Sequence, residues 1–455
     1  MAEWSKAAAS KAVVPHKSGT VGSNPTLSFL RVFLKALGEG VLMNRRFLRA
    51  GVLLLWCACA HAYIDTYIAF PFQERISWRT PDKMSLVRGS VFFMTADEAR
   101  NCDGVPIELP ELGGEFDLVR LNTAMQTVGI TNPLFLSEWS TLELPYRTEG
   151  KQRVTGFDFI VEYALSKHVS LGAACSLMHM HGRCNYCVTS KAQQQVGICS
   201  GGRLYPGREF DLERARLNAN SLLGICAGEW NETGLSDTEL YIRAGSINEY
   251  SWKFKQVDLS GQLGIILPTG IKKNIYSPAS VAAGGNGHLG FYVRFDGELE
   301  LTDDTFLGLW LNLTKRLPKT QLQRMPINCE QLAFGVLVDR AWVNPGCTIG
   351  ISPYVLVDDI QDGFGMYGAY MIAYHFEDQW RYNGTYSPRL CRLGEASKWI
   401  NEYFTLGLNY DSTKTPRIRE YGPRVFFEWT LPTDIFAARR VAKNHRITLG
   451  VEFHF

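Results

Sequence analysis

Between Leu289 and Lys315 the sequence alternates apolar and polar residues over two long runs. In 289–301, Leu289, Phe291, Val293, Phe295, Leu299 and Leu301 fall on one face, with Tyr292, Arg294, Asp296, Glu298 and Glu300 on the other. After Thr302-Asp303-Asp304, Leu307, Leu309, Leu311 and Leu313 alternate with Gly308, Trp310, Asn312 and Thr314. Strand side chains change face with period two, so each run reads as a strand with one oily face, and the short join makes the pair a hairpin. Soluble strands average about 5–6 residues. These runs approach the roughly 9–11 tilted residues that cross a bilayer.

The unit recurs. Phe157, Phe159, Val161, Tyr163 and Leu165 share a face, the chain turns at Ser166-Lys167-His168, and Val169, Leu171 and Ala173 resume the pattern. Val257, Leu259, Leu263, Ile265 and Leu267 form another face, as do Val425, Phe427, Trp429 and Leu431, opposite Arg424 and Glu428. The last run is 445–455, where Ile447, Leu449, Val451, Phe453 and Phe455 alternate with Arg446, Thr448, Gly450, Glu452 and His454. Candidate strands are 88–96, 153–165, 168–180, 238–248, 255–267, 289–301, 304–315, 331–342, 347–357, 365–375, 379–386, 399–410, 422–431 and 445–455. That is fourteen, with about 12–16 open on boundaries of this kind. An even count puts both ends of the barrel on one side of the membrane.

Past residue 62 no uncharged apolar run is long enough for a membrane helix. A chain that spans must then close a barrel, the other arrangement that satisfies every backbone group in lipid. The fold expected is all-β, a transmembrane antiparallel β-barrel. Tyr163, Trp252, Trp342, Tyr403 and Tyr410 fall near strand ends, where interfacial girdles lie. Lys and Arg (47) balance Asp and Glu (45) without clustering, which argues against nucleic acid as a partner. No cofactor is expected.

The N-terminal part has its own logic. From Met43, the bases Arg45, Arg46 and Arg49 precede an apolar stretch, Val52 to Ala60, and the small-x-small site Ala60-His61-Ala62. This pattern is a secretory signal peptide over 43–62, with cleavage after Ala62. Residues 1–42 resemble a translated transfer-RNA gene ahead of the true start, or a disordered extension. Residues 63–150 alternate poorly and suggest a periplasmic or lumen-plugging segment that includes the first strand. The barrel proper then spans 151–455. Its longest connection, 181–237, contains a helical pattern over Asp211–Leu223, with Asp211 as cap and Leu212, Ala215, Ala219 and Leu222 on one face.

The candidate functional residues follow from the alternation. Arg243, Asp258, Arg294, Asp296, Glu298, Glu300, Arg424, Glu428, Arg446 and Glu452 are expected to line a pore of mixed charge. Cys184, Cys187, Cys199 and Cys226 lie in the long connection and are disulfide candidates in an oxidising compartment. His179, His181, Cys184 and Cys187 offer a looser alternative, a zinc site. No Gly-x-Ser-x-Gly motif occurs, and no enzymatic activity is expected.

Together these features resemble bacterial outer-membrane β-barrel proteins of the porin and transporter type. Leu449, Val451, Phe453 and Phe455 resemble the C-terminal signal that such proteins present to the barrel assembly machinery. The stretch 261–270 is similar to a strand-to-loop junction in long-chain fatty acid transporter-like barrels, whose N-terminal hatch 63–150 would supply. The resemblance implies an outer-membrane location, with lipid and small solutes as partners. It implies a porin-like diffusion channel, with a plugged transporter for apolar compounds, or a surface barrel for adhesion or envelope structure, as alternatives. Phe455→Ala, or one charged residue appended to the C-terminus, should lower the outer-membrane yield of folded protein. Unchanged yield would contradict the assembly reading.

Overall fold

The computed structural model describes residues 85–197, 208–226, 228–249, 256–414 and 422–455. The leader readings over 1–62, residues 63–84 of the expected plug, Cys199 and Trp252 lie outside the described residues. Twelve long strands run through the rest: β1 (Leu86–Ala96), β2 (Pro145–Ser166), β3 (Val169–Val188), β4 (Thr238–Glu249), β5 (Gln256–Leu267), β6 (Gly290–Thr302), β7 (Thr305–Arg316), β8 (Thr348–Gln361), β9 (Phe364–His375), β10 (Trp399–Asp411), β11 (Pro423–Pro432) and β12 (His445–His454). Each pairs antiparallel with the next, and β12 returns to β1 in register from Leu86↔His454 to Thr95↔His445. The ring is therefore closed. No sheet edge is left to face lipid. Two short strands, Phe116–Asp117 and Gly228–Leu235, extend the same sheet to fourteen members by pairing with β2 and β3.

The two ends of the ring differ. Tight turns join β2 to β3, β6 to β7 and β8 to β9 at one end. In the last of these, Asp362 (φ 49°) and Gly363 (φ 89°) take the left-handed conformations that a two-residue hairpin needs. Ser85 and Phe455 also meet at this end through paired backbone bonds of 3.0 and 3.3 Å. The long connections, 97–144, 189–237, 268–289, 317–347, 376–398 and 433–444, all emerge at the other end. Short turns on one side and long loops on the other are the barrel asymmetry expected from sequence.

Two of the fourteen sequence-predicted strands are not in the wall. The segments 331–342 and 379–386 contribute to a three-stranded sheet of Lys319–Met325, Leu337–Asn344 and Gln379–Arg381 at the long-loop end. Met325, Leu337 and Ala341 are buried together there, and Arg381 lies 4.6 Å over the Trp342 ring. A small local core produces the same period-two pattern as a membrane wall. The aromatic expectation also divides. Tyr163 and Tyr410 face outward, whereas Tyr403 is 1% exposed inside the ring, on the face of Trp399, Asn401 and Thr405.

Of the segment 63–150 expected to be periplasmic or plug-like, residues 97–144 connect β1 to β2. They leave β1 and enter β2 at the long-loop end, opposite the chain termini of the barrel. There they build a separate apolar cluster: Phe116, Leu121 and Met125 pack with Trp139, Phe334 and Leu212. Helix α1 (Leu118–Thr127) is capped by Asp117, whose carboxylate accepts from Val119 N and Arg120 N at 2.9 Å. Helices α2 (Ser190–Gly197) and α3 (Arg208–Leu222) of the longest connection join this cluster. Leu212, Ala215 and Ala219 face it as expected; Asp211 lies inside α3 rather than capping it, and Leu223 takes the inward place assigned to Leu222.

The wall alternates throughout. In β7, Leu307, Leu309, Leu311 and Leu313 point outward while Phe306, Gly308, Trp310, Asn312 and Thr314 are buried inside. Inward glycines recur beside aromatics of the neighbouring strand. Gly172 lies under Tyr241, Gly264 under Tyr292, Gly308 under Tyr354, Gly407 under Tyr367 and Gly450 under Phe426. At each, a Cβ would occupy the space of ring atoms. The rings therefore lie flat against the inner wall, which keeps a lumen only twelve strands wide from being filled by upright aromatics. Gly264→Val and Gly308→Val should each cost about 1–3 kcal/mol by overpacking, read as a lower thermal midpoint for loss of the heat-modifiable band. Gly368→Val is the control, because Gly368 faces outward with only Phe404 nearby, at 3.8 Å; equal loss in all three would refute the seating role.

Candidate functional site in the barrel lumen

The inner wall is built from stacked modules. Arg294 lies 4.1 Å over Tyr292, Arg88 lies 4.0 Å over Phe426, and Arg446 lies 4.3 Å over Phe92. Each guanidinium then meets a carboxylate. Arg294 reaches Glu239 at 3.0 Å, Arg88 reaches Glu428 at 3.4 Å, and Arg446 pairs with Asp158. Glycine seats the ring, the ring carries the cation, and the cation finds an acid on another strand. Arg243 sits 3.9 Å from Glu162, and Tyr354 donates to Asp296 at 2.9 Å across β7. Arg424 lies 3.5 Å from both Asp358 and Glu452.

All ten residues expected to line a pore point into the ring. Arg243, Asp258, Arg294, Glu298 and Glu452 are buried; Asp296, Glu300, Arg424, Glu428 and Arg446 are partly exposed. Their burial reflects the stacking: charges lean on the wall and on one another. Burying such charges is costly unless each is paired. Sequence reading missed Arg88, Asp158, Glu162 and Glu239, although Asp158 and Glu162 occupy the polar phase of the run that contains Phe157 and Phe159.

At the long-loop end, one connection folds onto the inner wall. Residues 268–289 turn inward, so that Ile271, Val281 and Ala283 pack against Phe92, Met94, Val154 and Met180. One carboxylate pins them. Asp237 accepts from Gly270 N at 3.1 Å and Gly285 N at 2.7 Å, and pairs with Arg316, which also donates to His288 O at 3.1 Å. Gly284 (φ 105°) approaches Asp237, and Gly285 approaches Arg316, too closely for a side chain. The glycine run 284–287 is the sequence signal that marks this latch. Beneath it lies a cavity of about 130 Å³.

His288 completes the latch. It is fully buried, with Nδ1 donating to Leu317 O at 2.8 Å and Nε2 facing the Gln321 amide at 3.2 Å. That arrangement suits the neutral ring. Burial, with the cations Arg316 and Lys319 adding to it, lowers its pKa to about 4 despite the Leu317 hydrogen bond.

Other sequence candidates separate. On β3, His179 and His181 share the outward phase with Cys187, whereas Cys184 is buried on the opposite face. The four do not converge, and among the described residues no group of three or more His, Cys, Asp or Glu is placed to hold a metal ion. The same parity prevents Cys184 from bridging to Cys187, and Cys184, Cys187 and Cys226 are all thiols here. Leu449, Val451, Phe453 and Phe455 face outward on the closing strand. At the wall, Thr348 Oγ1 lies 2.9 Å from His375 Nδ1, and His375 Nε2 lies 3.2 Å from Asp378 Oδ1; His375 and Asp378 are fully buried.

No family model matches the sequence, and no curated protein matches it. Among solved structures, the chain is similar to an outer-membrane channel from Pseudomonas putida F1, with 9% identity over 86% of this chain and 98% of that one, at a TM-score of 0.45. It is also similar to the transport unit of the autotransporter AIDA-I from Escherichia coli (7% identity, 85% and 93% covered, TM-score 0.36). A third is the toluene transporter TodX of Pseudomonas putida (8% identity, 87% and 96% covered, TM-score 0.31). At these scores the likenesses carry no argument; the barrel stands on its own ring of strands.

The His288 latch gives a pH prediction. Its folded pKa lies below the ordinary value of about 6.5, so the open form binds more protons between about pH 6.5 and 4. Latch stability should rise with pH through that window and be lost on acidification. Limited proteolysis should cut within 268–289 faster at pH 4.5 than at pH 7. His288→Gln should flatten that difference; equal cutting of the wild type at both pH values would contradict the account.

Proposed function

We propose that the chain is an outer-membrane channel that passes small solutes through its lumen and is held closed at the long-loop mouth by the Asp237–Arg316 latch. The observation that carries this reading is the pairing of two features in one ring: an apolar outer face and a charged inner face with a cavity beneath an inward-folded loop. An unbroken oily belt is stable against lipid and unstable against water. A charged, ion-paired interior has no purpose as a packing core, since apolar residues of similar volume would fill it at lower cost.

A barrel used only as a surface scaffold needs no cavity and no latch. Transport of apolar compounds is the second reading, favoured by one observation: Met94, Val154, Met178 and Ile266 form an apolar stretch of the cavity wall. Signal cleavage after Ala62, delivery through the assembly machinery and outer-membrane residence belong to the same proposal. The chain is read as a conduit and not as an enzyme.

Refolded protein in a planar bilayer tests it. Wild type should give discrete but infrequent openings. Asp237→Asn, which weakens the hold on Gly285 and Arg316, should raise the open fraction several-fold. A heat-modifiable barrel that is silent in both forms would overturn the channel reading.

A further inference from the structure

The outer face of the ring carries a charged group of its own. Where β2 pairs with β3, Arg153 stands directly opposite His181, and Lys151 directly opposite Arg183. Odd-numbered residues of both strands share the outward phase, as the exposed Phe157 and Leu177 show. The four residues therefore form a square on the outer face, with opposed Cβ atoms about 5 Å apart. Arg153 and Arg183 are exposed, and Lys151 and His181 are partly so. Like charges set directly opposite one another destabilise a sheet.

The neighbouring acids do not neutralise the square. Among the described residues, neither Lys151 nor Arg153 makes an ion pair. Glu229 lies 3.8 Å from Arg183, with both side chains more than half exposed (58% and 55%). A pair that long and that solvated contributes little. Asp97, one residue beyond β1, is exposed and pairs with neither lysine nor arginine among the described residues. His181 turns to Asn231, its Nδ1 2.6 Å from Oδ1. The square is left with a surplus of positive charge that a bridging anion would relieve.

Its height on the barrel identifies the anion. Phe93 stands opposite Thr155, and Ile447 opposite Phe93; both are exposed, at 43% and 44%. The apolar belt thus reaches the level of Thr155. Arg153 lies two residues beyond it toward the long-loop end, about 7 Å along the strand. The polar layer on each side of a bilayer core is about 5–7 Å deep. The square therefore stands at the level of lipid headgroups, directly above a surface that takes acyl chains. A soluble anion would use the charges and leave that apolar surface idle. We infer that this face is a binding site for a phosphorylated lipid of the leaflet at the long-loop end. The phosphate bridges Lys151, Arg153 and Arg183, and the chains lie on Phe93, Phe157 and Leu177. Guanidinium forks match phosphate oxygens, and basic clusters at a membrane surface recognise anionic headgroups. The site is outside the lumen and does not depend on passage through it.

Native mass spectrometry of the full barrel in neutral detergent tests it with three probes: phosphatidic acid, phosphatidylcholine with the same chains, and inorganic phosphate. Wild type should retain phosphatidic acid over phosphatidylcholine by roughly fivefold or more, and should hold no inorganic phosphate at the same concentration. The double variant Lys151→Gln/Arg153→Gln should lose that preference while the heat-modifiable band persists. Arg183→Gln alone should lower it in part, and decides the matter if the double variant does not fold. Arg340→Gln removes an exposed cation from the three-stranded sheet of the loops and should leave the preference intact. Equal retention of the two lipids by wild type, equal loss in Arg340→Gln, or inorganic phosphate held as well as phosphatidic acid overturns the assignment. Wild-type dimers that the double variant loses would give this face to a second copy of the chain and overturn it too.

Discussion

Closure of β12 onto β1 is the constraint on which everything else depends. In lipid, an unpaired backbone N–H or C=O costs several kcal/mol. An open twelve-stranded sheet would present two rows of such groups. The pairing of Leu86–Thr95 with His445–His454 removes both rows at once. It also sets the last strand beside the first, with Phe455 bonded to Ser85. The strict alternation of the wall then has a single reading, because a one-residue slip at any pair would turn every leucine of that strand into the lumen.

Once the ring is closed, its interior becomes the problem. Twelve strands enclose little room, and half of every strand points into it. The structure solves this by giving glycine to one strand and an aromatic to its neighbour, then laying arginines across the rings. The same arrangement that packs the wall creates the charge pattern of the lumen. Packing and lumen charge therefore share residues, as Phe92, Arg446 and Asp158 illustrate. Above them, loop 268–289 is held by the buried carboxylate of Asp237, by the hydrogen bonds of His288 and Lys319, and by the packing of Ile271, Val281 and Ala283 on the wall.

Much of this was legible in the sequence, for a physical reason. Period-two patterning reports directly on which face meets lipid, so Leu307 through Leu313 and the ten inward charges could be assigned from spacing alone. Strand membership failed where a small core imitates the wall, as at Leu337 and Ala341. Tyr403 was misassigned because an aromatic near a strand end suits a girdle or a lumen equally, and only its parity with Asn401 and Thr405 decides. Where residues 97–144 lie was not legible, because alternation says nothing about which end of a barrel a connection occupies; chain direction through β1 does. The latch was hidden for a different reason. Asp237 and Arg316 are far apart in sequence, and a glycine run reports that backbone must come close to something without saying to what.

The central claim is that the twelve-strand ring presents one face to lipid and the other to a closed, polar lumen. Spin-label scanning through Thr305–Arg316 in a bilayer tests it most directly. Single cysteines carrying a nitroxide are compared for contact with oxygen, which partitions into lipid, and with a water-soluble nickel chelate. The account predicts a period-two profile: oxygen contact at Leu307, Leu309, Leu311 and Leu313, and low contact with both reagents at Gly308, Trp310 and Asn312. A flat profile, or nickel contact on the leucine face, would contradict it.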